Sequence, residues 1–132
     1  MPTTADTPKC FAEVSGRRLL DWTLSSLGQN PALSLGPENI CFVGGYQIEK
    51  IQQDYPDFTF RHNDNWQNNN ILASLFYAED VMLDGFLCAY SDILFTPAVI
   101  AGLIESPADI AVAVDTCWLE RYLERTEHPP DD

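Results

Sequence analysis

The chain is 132 residues long, 45% hydrophobic and 11% aromatic, enough apolar material for one core of ordinary domain size. Its 20 acidic and 7 basic side chains give a formal charge of -13, which repels a phosphate backbone and sets nucleic acid aside as a partner. No apolar run approaches the roughly 18–20 residues of a membrane span, and no basic-then-apolar signal pattern opens the sequence, so a soluble, cytoplasmic protein without membrane attachment is expected.

In chain order, the segment Met1–Thr7 reads as irregular, and a helix is predicted over Arg17–Leu27, with Gly28 as its stop. The first strand is "NICFV", Asn39–Val43, running into Gly44 and Gly45. Ile48, Ile51 and Tyr55 then recur at three- and four-residue steps, a short helix that must end before Pro56. A weaker strand follows at "FTFR", Phe58–Arg61. A helix over Asn70–Leu83 carries Ile71, Leu72, Leu75 and Met82 as its core stripe. Strands at Gly85–Tyr90 and Ile110–Val114 are nearly all apolar, as strands buried on both faces should be, and they alternate with helices at Pro97–Glu105 and Thr116–Arg125. The end, Glu127–Asp132, again reads as irregular. Alternating strands and helices predict an α/β fold with a parallel sheet covered on both faces.

The four cysteines, Cys10, Cys41, Cys88 and Cys117, show neither a CxxC pair nor a Cys/His ligand spacing, and read as reduced thiols. Lys9, Arg17 and Arg18 form a local basic cluster that can receive a small phosphorylated ligand within an otherwise acidic chain. Asp92 and Asp115 each lie just beyond the carboxyl end of a predicted strand, where open α/β sheets bind ligands; each is either a ligand group or a solvated helix cap. Asn70 and Ser74 share a helix face, and Asn70 either contacts a ligand or caps the helix, with Asn69 the adjacent alternative. Trp118 and Tyr122 also share a face, near Asp115. Aromatic faces with a carboxylate suit a quaternary ammonium such as choline; packing in the core is the other reading of the two rings.

The stretch "TADTPKCFAEVSGRRLLDWTL" resembles the region after the glycine-rich loop of nucleotidyltransferases of the sugar-phosphate and phosphocholine cytidylyltransferase type. The likeness continues through "ICFVGGYQIEKI", "NNNILASL", "YSDILF" and "VDTCWLERYLER", in the family's order along almost the whole chain. It implies the Rossmann-like three-layer α/β/α sheet of the nucleotide-diphospho-sugar transferases. It also implies transfer of a nucleotidyl group from an NTP, CTP favoured, to a phosphorylated small molecule with release of pyrophosphate. On this resemblance Lys9 neutralises phosphate, Asp92 holds Mg²⁺, and Asn70 and Ser74 receive the nucleotide; Asp115, Trp118 and Tyr122, through their carboxylate and aromatic faces, are the candidates for the acceptor.

The family's first strand and its GxGxR phosphate loop have no counterpart here, and "RTEHPPDD" stands where family members continue into further strands. The expectation is therefore one partial domain over 1–132, truncated at both ends and lacking the first strand of its sheet. Such a chain is either an enzyme or a non-catalytic nucleotide-binding or interaction remnant, and it self-associates through open sheet edges.

Overall fold

The first strands of the computed structural model, which describes residues 6–31, 33 and 35–123, form a small hairpin. Strands β1 (Glu13–Val14) and β2 (Arg17–Arg18) pair antiparallel, Glu13 opposite Arg18 and Val14 opposite Arg17. Between them Ser15 and Gly16 both take positive φ, 54° and 73°, the requirement of the tight turn that suits a two-residue hairpin. The predicted helix therefore starts two residues late: α1 spans Leu19–Gly28, because Arg17 and Arg18 are taken by the hairpin.

Strand β3 (Cys41–Gly44) and strand β4 (Thr59–His62) pair in parallel, with Cys41 opposite Thr59 and Gly44 opposite His62. Parallel strands need a crossover, and α2 (Ile48–Asp54) supplies it. Ile48 and Ile51 are its buried face, and it ends at Tyr55, before Pro56. The core gathers around this unit: Cys10, Leu20, Ile51 and Phe58 are buried, with Phe11, Leu24, Ile40, Phe42, Tyr55 and Phe60 packed against them. Tyr55 stacks on Phe58 with ring centroids 5.1 Å apart.

The helix expected over Asn70–Leu83 is shorter. Helix α3 covers Ile71–Phe76, and a separate 3-10 turn covers Glu79–Val81. Ile71 and Leu72 are exposed, so the expected core stripe does not form there; Ala78 is the buried apolar residue of this region. The strands expected at Gly85–Tyr90 and Ile110–Val114 are corrected as well. Among the described residues strand pairing is confined to β1–β2 and β3–β4, and neither apolar segment finds a ladder partner. Phe86, Leu87 and Tyr90 are exposed, and Ile110 is 85% exposed. An apolar run becomes a strand only where a neighbour takes its N–H and C=O groups.

Helix α1 supplies such partners only beyond the first of these segments. Its buried face includes Thr23 and Ser26, whose hydroxyls donate to the carbonyls of Ile93 at 3.4 Å and Phe95 at 2.7 Å. Two hydroxyls on a helix thus substitute for sheet partners on the stretch that follows Tyr90.

Backbone contacts divide the chain after Pro97. The second unit contains α4 from its second residue (the helix spans Pro97–Glu105, as predicted), with Ile100 buried, and α5 (Trp118–Leu123). The last two residues of the final predicted helix, and the irregular ends other than Asp6 and Thr7, lie outside the described residues. The architecture is α/β with small sheets. None of the described helices is long and apolar enough to cross a membrane.

Candidate functional site

Lys9 lies exposed on a 3-10 turn, Lys9–Phe11, whose next residue, Cys10, points into the core. Burial pushes the Cys10 thiol up to about 11. The nearby Arg18 cation and the Ser91 hydroxyl pull it down, and the Asp92 carboxylate pushes it up. The turn carrying Lys9 and the turn carrying Asp92 therefore meet at Cys10 and Ser91. Asp92 is exposed in a turn, but the strand expected before it does not form among the described residues, so its expected place at the carboxyl end of a sheet strand is not realised.

Of the basic cluster, the two arginines are committed to the fold. Arg18 pairs with Asp54 at 2.6 Å and lies 3.8 Å over the Phe11 ring, while Arg17 donates to the Asp21 carbonyl and lies over Trp22. Lys9 has no such partner among the described residues.

The Cys10 and Tyr55 hydrogens fix a pH dependence. Tyr55 donates to Asp21 at 2.6 Å, and burial first, then this bond, pushes its phenol up to about 12. Both groups hold their protons more tightly folded than unfolded, so the unfolded chain ionises first and stability falls as pH rises. The urea midpoint is expected to drop between about pH 9 and 11, the range separating the ordinary Cys10 value from its folded one, and to drop less in Cys10→Ala. A midpoint flat across that range would remove the argument.

At the carboxyl end of β3–β4, Asn70 and Ser74 do share a face of α3. The Asn70 side chain caps the helix by accepting from the Ala73 N–H at 2.9 Å, and Ser74 Oγ donates back to the Asn70 carbonyl at 3.3 Å. The capping reading of Asn70 is thus realised. Two residues the sequence reading passed over complete this rim. Asn63, 1% exposed, bonds to both Asn69 and Ser74. Trp66 lies against Gly45, where an added Cβ would come within 2.4 Å of the indole, and meets Tyr46 edge-on with centroids 5.7 Å apart. The signal that could have found both is the polar run "RHNDNWQNNN" directly after a strand. Gly45→Ala should cost about 1–3 kcal/mol by displacing Trp66, and that loss should shrink when Trp66 is also alanine. Denaturant titration of the double-mutant cycle measures it, and equal losses with and without Trp66 would refute the contact.

In the second unit, Trp118 and Tyr122 meet edge-on at 5.7 Å, confirming their shared face on α5. Trp118 is 50% exposed, which excludes a core role within this unit. Asp115 is engaged: Oδ1 accepts from the Cys117 N–H at 3.0 Å and Oδ2 pairs with Arg121 at 3.0 Å. A cationic ligand there competes with Arg121 for the carboxylate.

A cleft of about 550 Å³ lies between α1 and the segment around Leu35–Ile40 and is lined by Arg17, Asp21, Leu24 and Ile40 among others; none of the seven predicted site residues borders it. The described residues contain no group of three or more His, Cys, Asp or Glu side chains able to hold a metal. Asp92 offers one hard carboxylate, which fits Mg²⁺ in the manner that ion favours, bound through one or two carboxylates and completed by substrate phosphates and water.

No family model and no solved structure matches the chain. Among curated proteins, a CTP:phosphoglutamine cytidylyltransferase of Campylobacter jejuni is 26% identical over 141 residues, covering 100% of this chain and 54% of the relative. The chain spans about half the length of the curated relative it matches. With every part of the chain included in that alignment, it is a distant relative of a nucleotidyltransferase of the cytidylyltransferase kind.

Proposed function

We propose that the chain serves nucleotidyl transfer from CTP to a phosphorylated small molecule, within a three-layer α/β/α architecture. The observation that carries this reading is the similarity, along the whole of this chain, to about half of a cytidylyltransferase; the nearness of Ser91 and Asp92 to Cys10 on the Lys9 turn supports it. An oxygen of the acceptor phosphate forms a bond to the α-phosphorus of CTP, the bond from that phosphorus to the bridging oxygen breaks, and pyrophosphate leaves with the electron pair. Lys9 brings a cation to the phosphates, and its turn is anchored by the buried Cys10, so the charge is placed before the substrate arrives. Mg²⁺, held by Asp92 and the phosphates, would neutralise charge on the triphosphate. Asn70 and Ser74 are assigned to the nucleotide, and Trp118 and Tyr122 to the organic end of the acceptor.

Calorimetric titration with CTP, ATP and UTP in Mg²⁺ tests the reading. Saturable binding that favours CTP, followed by pyrophosphate release when a phosphorylated acceptor is added, is the expected result; a folded chain that binds none of the three would end it. A second reading, a non-catalytic module that binds partners or itself, is favoured by one observation: among the described residues the apolar Gly85–Tyr90 segment has no ladder partner and lies exposed. Nucleotide binding without turnover, together with a concentration-dependent mass in light scattering, would select it.

A further inference from the structure

We infer that Asn63 is a positioning residue that sets the nucleoside-binding edge of the site, an inference that rests on the nucleotidyl-transfer reading. Asn63 follows β4 directly, and its backbone N–H donates to the Gly44 carbonyl at 2.9 Å, tying it to the carboxyl end of β3. Its carboxamide is saturated. Nδ2 donates to Asn69 Oδ1 at 3.0 Å and to Ser74 Oγ at 2.7 Å. Oδ1 accepts from Asn69 Nδ2 at 2.9 Å and from the Asn65 backbone N–H at 3.1 Å.

A carboxamide has two donor hydrogens and two acceptor lone-pair positions, and this one has a partner for each. At 1% exposure no water is needed to complete it. A fully satisfied buried polar network rigidifies its members, and this one couples three elements: the end of the sheet, the loop from Asn65 to Asn69, and the first turn of α3.

The location gives the network its use. It stands at the carboxyl end of a parallel strand pair, the side on which α/β sheets take ligands. It fixes Asn69 and Ser74 on either side of Asn70, whose Oδ1 is occupied by the helix cap while its Nδ2 has no partner among the described residues. Asn63 touches no ligand in this account; it holds the backbone from which Asn70 donates. The Lys9 and Asp92 turns, which serve the phosphates, hang on Cys10 and not on this network. Removing Asn63 should therefore affect the nucleoside end selectively.

The experiment titrates wild type, Asn63→Ala and Asn69→Ala with CTP and, separately, with pyrophosphate, each in Mg²⁺, alongside thermal melts. Asn69→Ala serves if Asn63→Ala does not fold, because Asn69 is only half-buried and its loss spares the bond from Asn63 to Ser74. The expected result is a loss of CTP affinity of roughly 10- to 100-fold in Asn63→Ala and less in Asn69→Ala, with pyrophosphate affinity unchanged. A general structural role would weaken both ligands together, and that parallel loss, or CTP affinity equal to wild type, overturns the inference. Wild type that fails to bind CTP overturns the nucleotidyl-transfer reading and the inference with it; wild type that binds CTP beside an unaffected variant overturns the inference alone.

Discussion

Asp92→Ala is expected to reduce Mg²⁺-dependent CTP binding and pyrophosphate release by roughly 100- to 1,000-fold without changing the melting temperature. The two halves of this expectation come from different observations. Asp92 is exposed and makes no ion pair among the described residues, so its loss costs the fold within about 0.5 kcal/mol. In the proposed role its carboxylate would be the hard oxygen ligand for Mg²⁺, and the described residues hold no group of three or more acidic, histidine or cysteine side chains able to take a metal in its place. Unchanged CTP binding would remove Asp92 from the site.

Phe58→Ala is expected to destabilise the fold by about 3–5 kcal/mol, the usual cost of emptying a large buried aromatic site. Phe58 is buried just before β4, stacks on Tyr55 and lies 6.0 Å from Phe60, so its ring joins the end of α2 to the strand pair. The core is small, with seven buried apolar residues among those described, and neighbours have little capacity to close the hole. Against a total stability of roughly 5–15 kcal/mol for a domain, such a loss leaves much of the variant unfolded. Urea titration measures it; a shift below about 1 kcal/mol would mean that this cluster does not hold the unit together.

Local chemistry explains which parts of this fold could be read from the sequence. The β3–α2–β4 unit was legible because each signal is short-range: Phe42 and Val43 favour a strand, Ile48 and Ile51 mark one helix face, and Pro56 enforces the stop. The hairpin was equally local, in Ser15–Gly16, but the run of arginines and leucines after it looked like one longer helix. Gly85–Tyr90 and Ile110–Val114 failed for the opposite reason. Their composition states that they are apolar and extended, whereas a ladder is a property of two segments, and composition does not name the second. Within the candidate site, the spacing of Asn70 with Ser74 and of Trp118 with Tyr122 placed each pair on one face. The partners that occupy Asp115 and orient Ser74, Arg121 and Asn63, were not legible: a charge on a helix and an asparagine in a polar run carry no mark of what they will bond.

The crossover unit also bears on the order in which the molecule assembles. Its two strands close on each other across a single short helix, so the loop to be closed is small and its entropic cost is met early. The stretch beyond Tyr90 instead takes its carbonyl partners from Thr23 and Ser26, far back in the chain. During synthesis the former can organise as soon as it emerges, while the latter must fold back across the whole intervening chain onto α1, which was made earlier. In the finished protein amide exchange should be slow at Thr59–His62 and fast across Gly85–Tyr90, which has neither those hydroxyl partners nor a ladder among the described residues, so that segment is the one on which proteases and chaperones would act first.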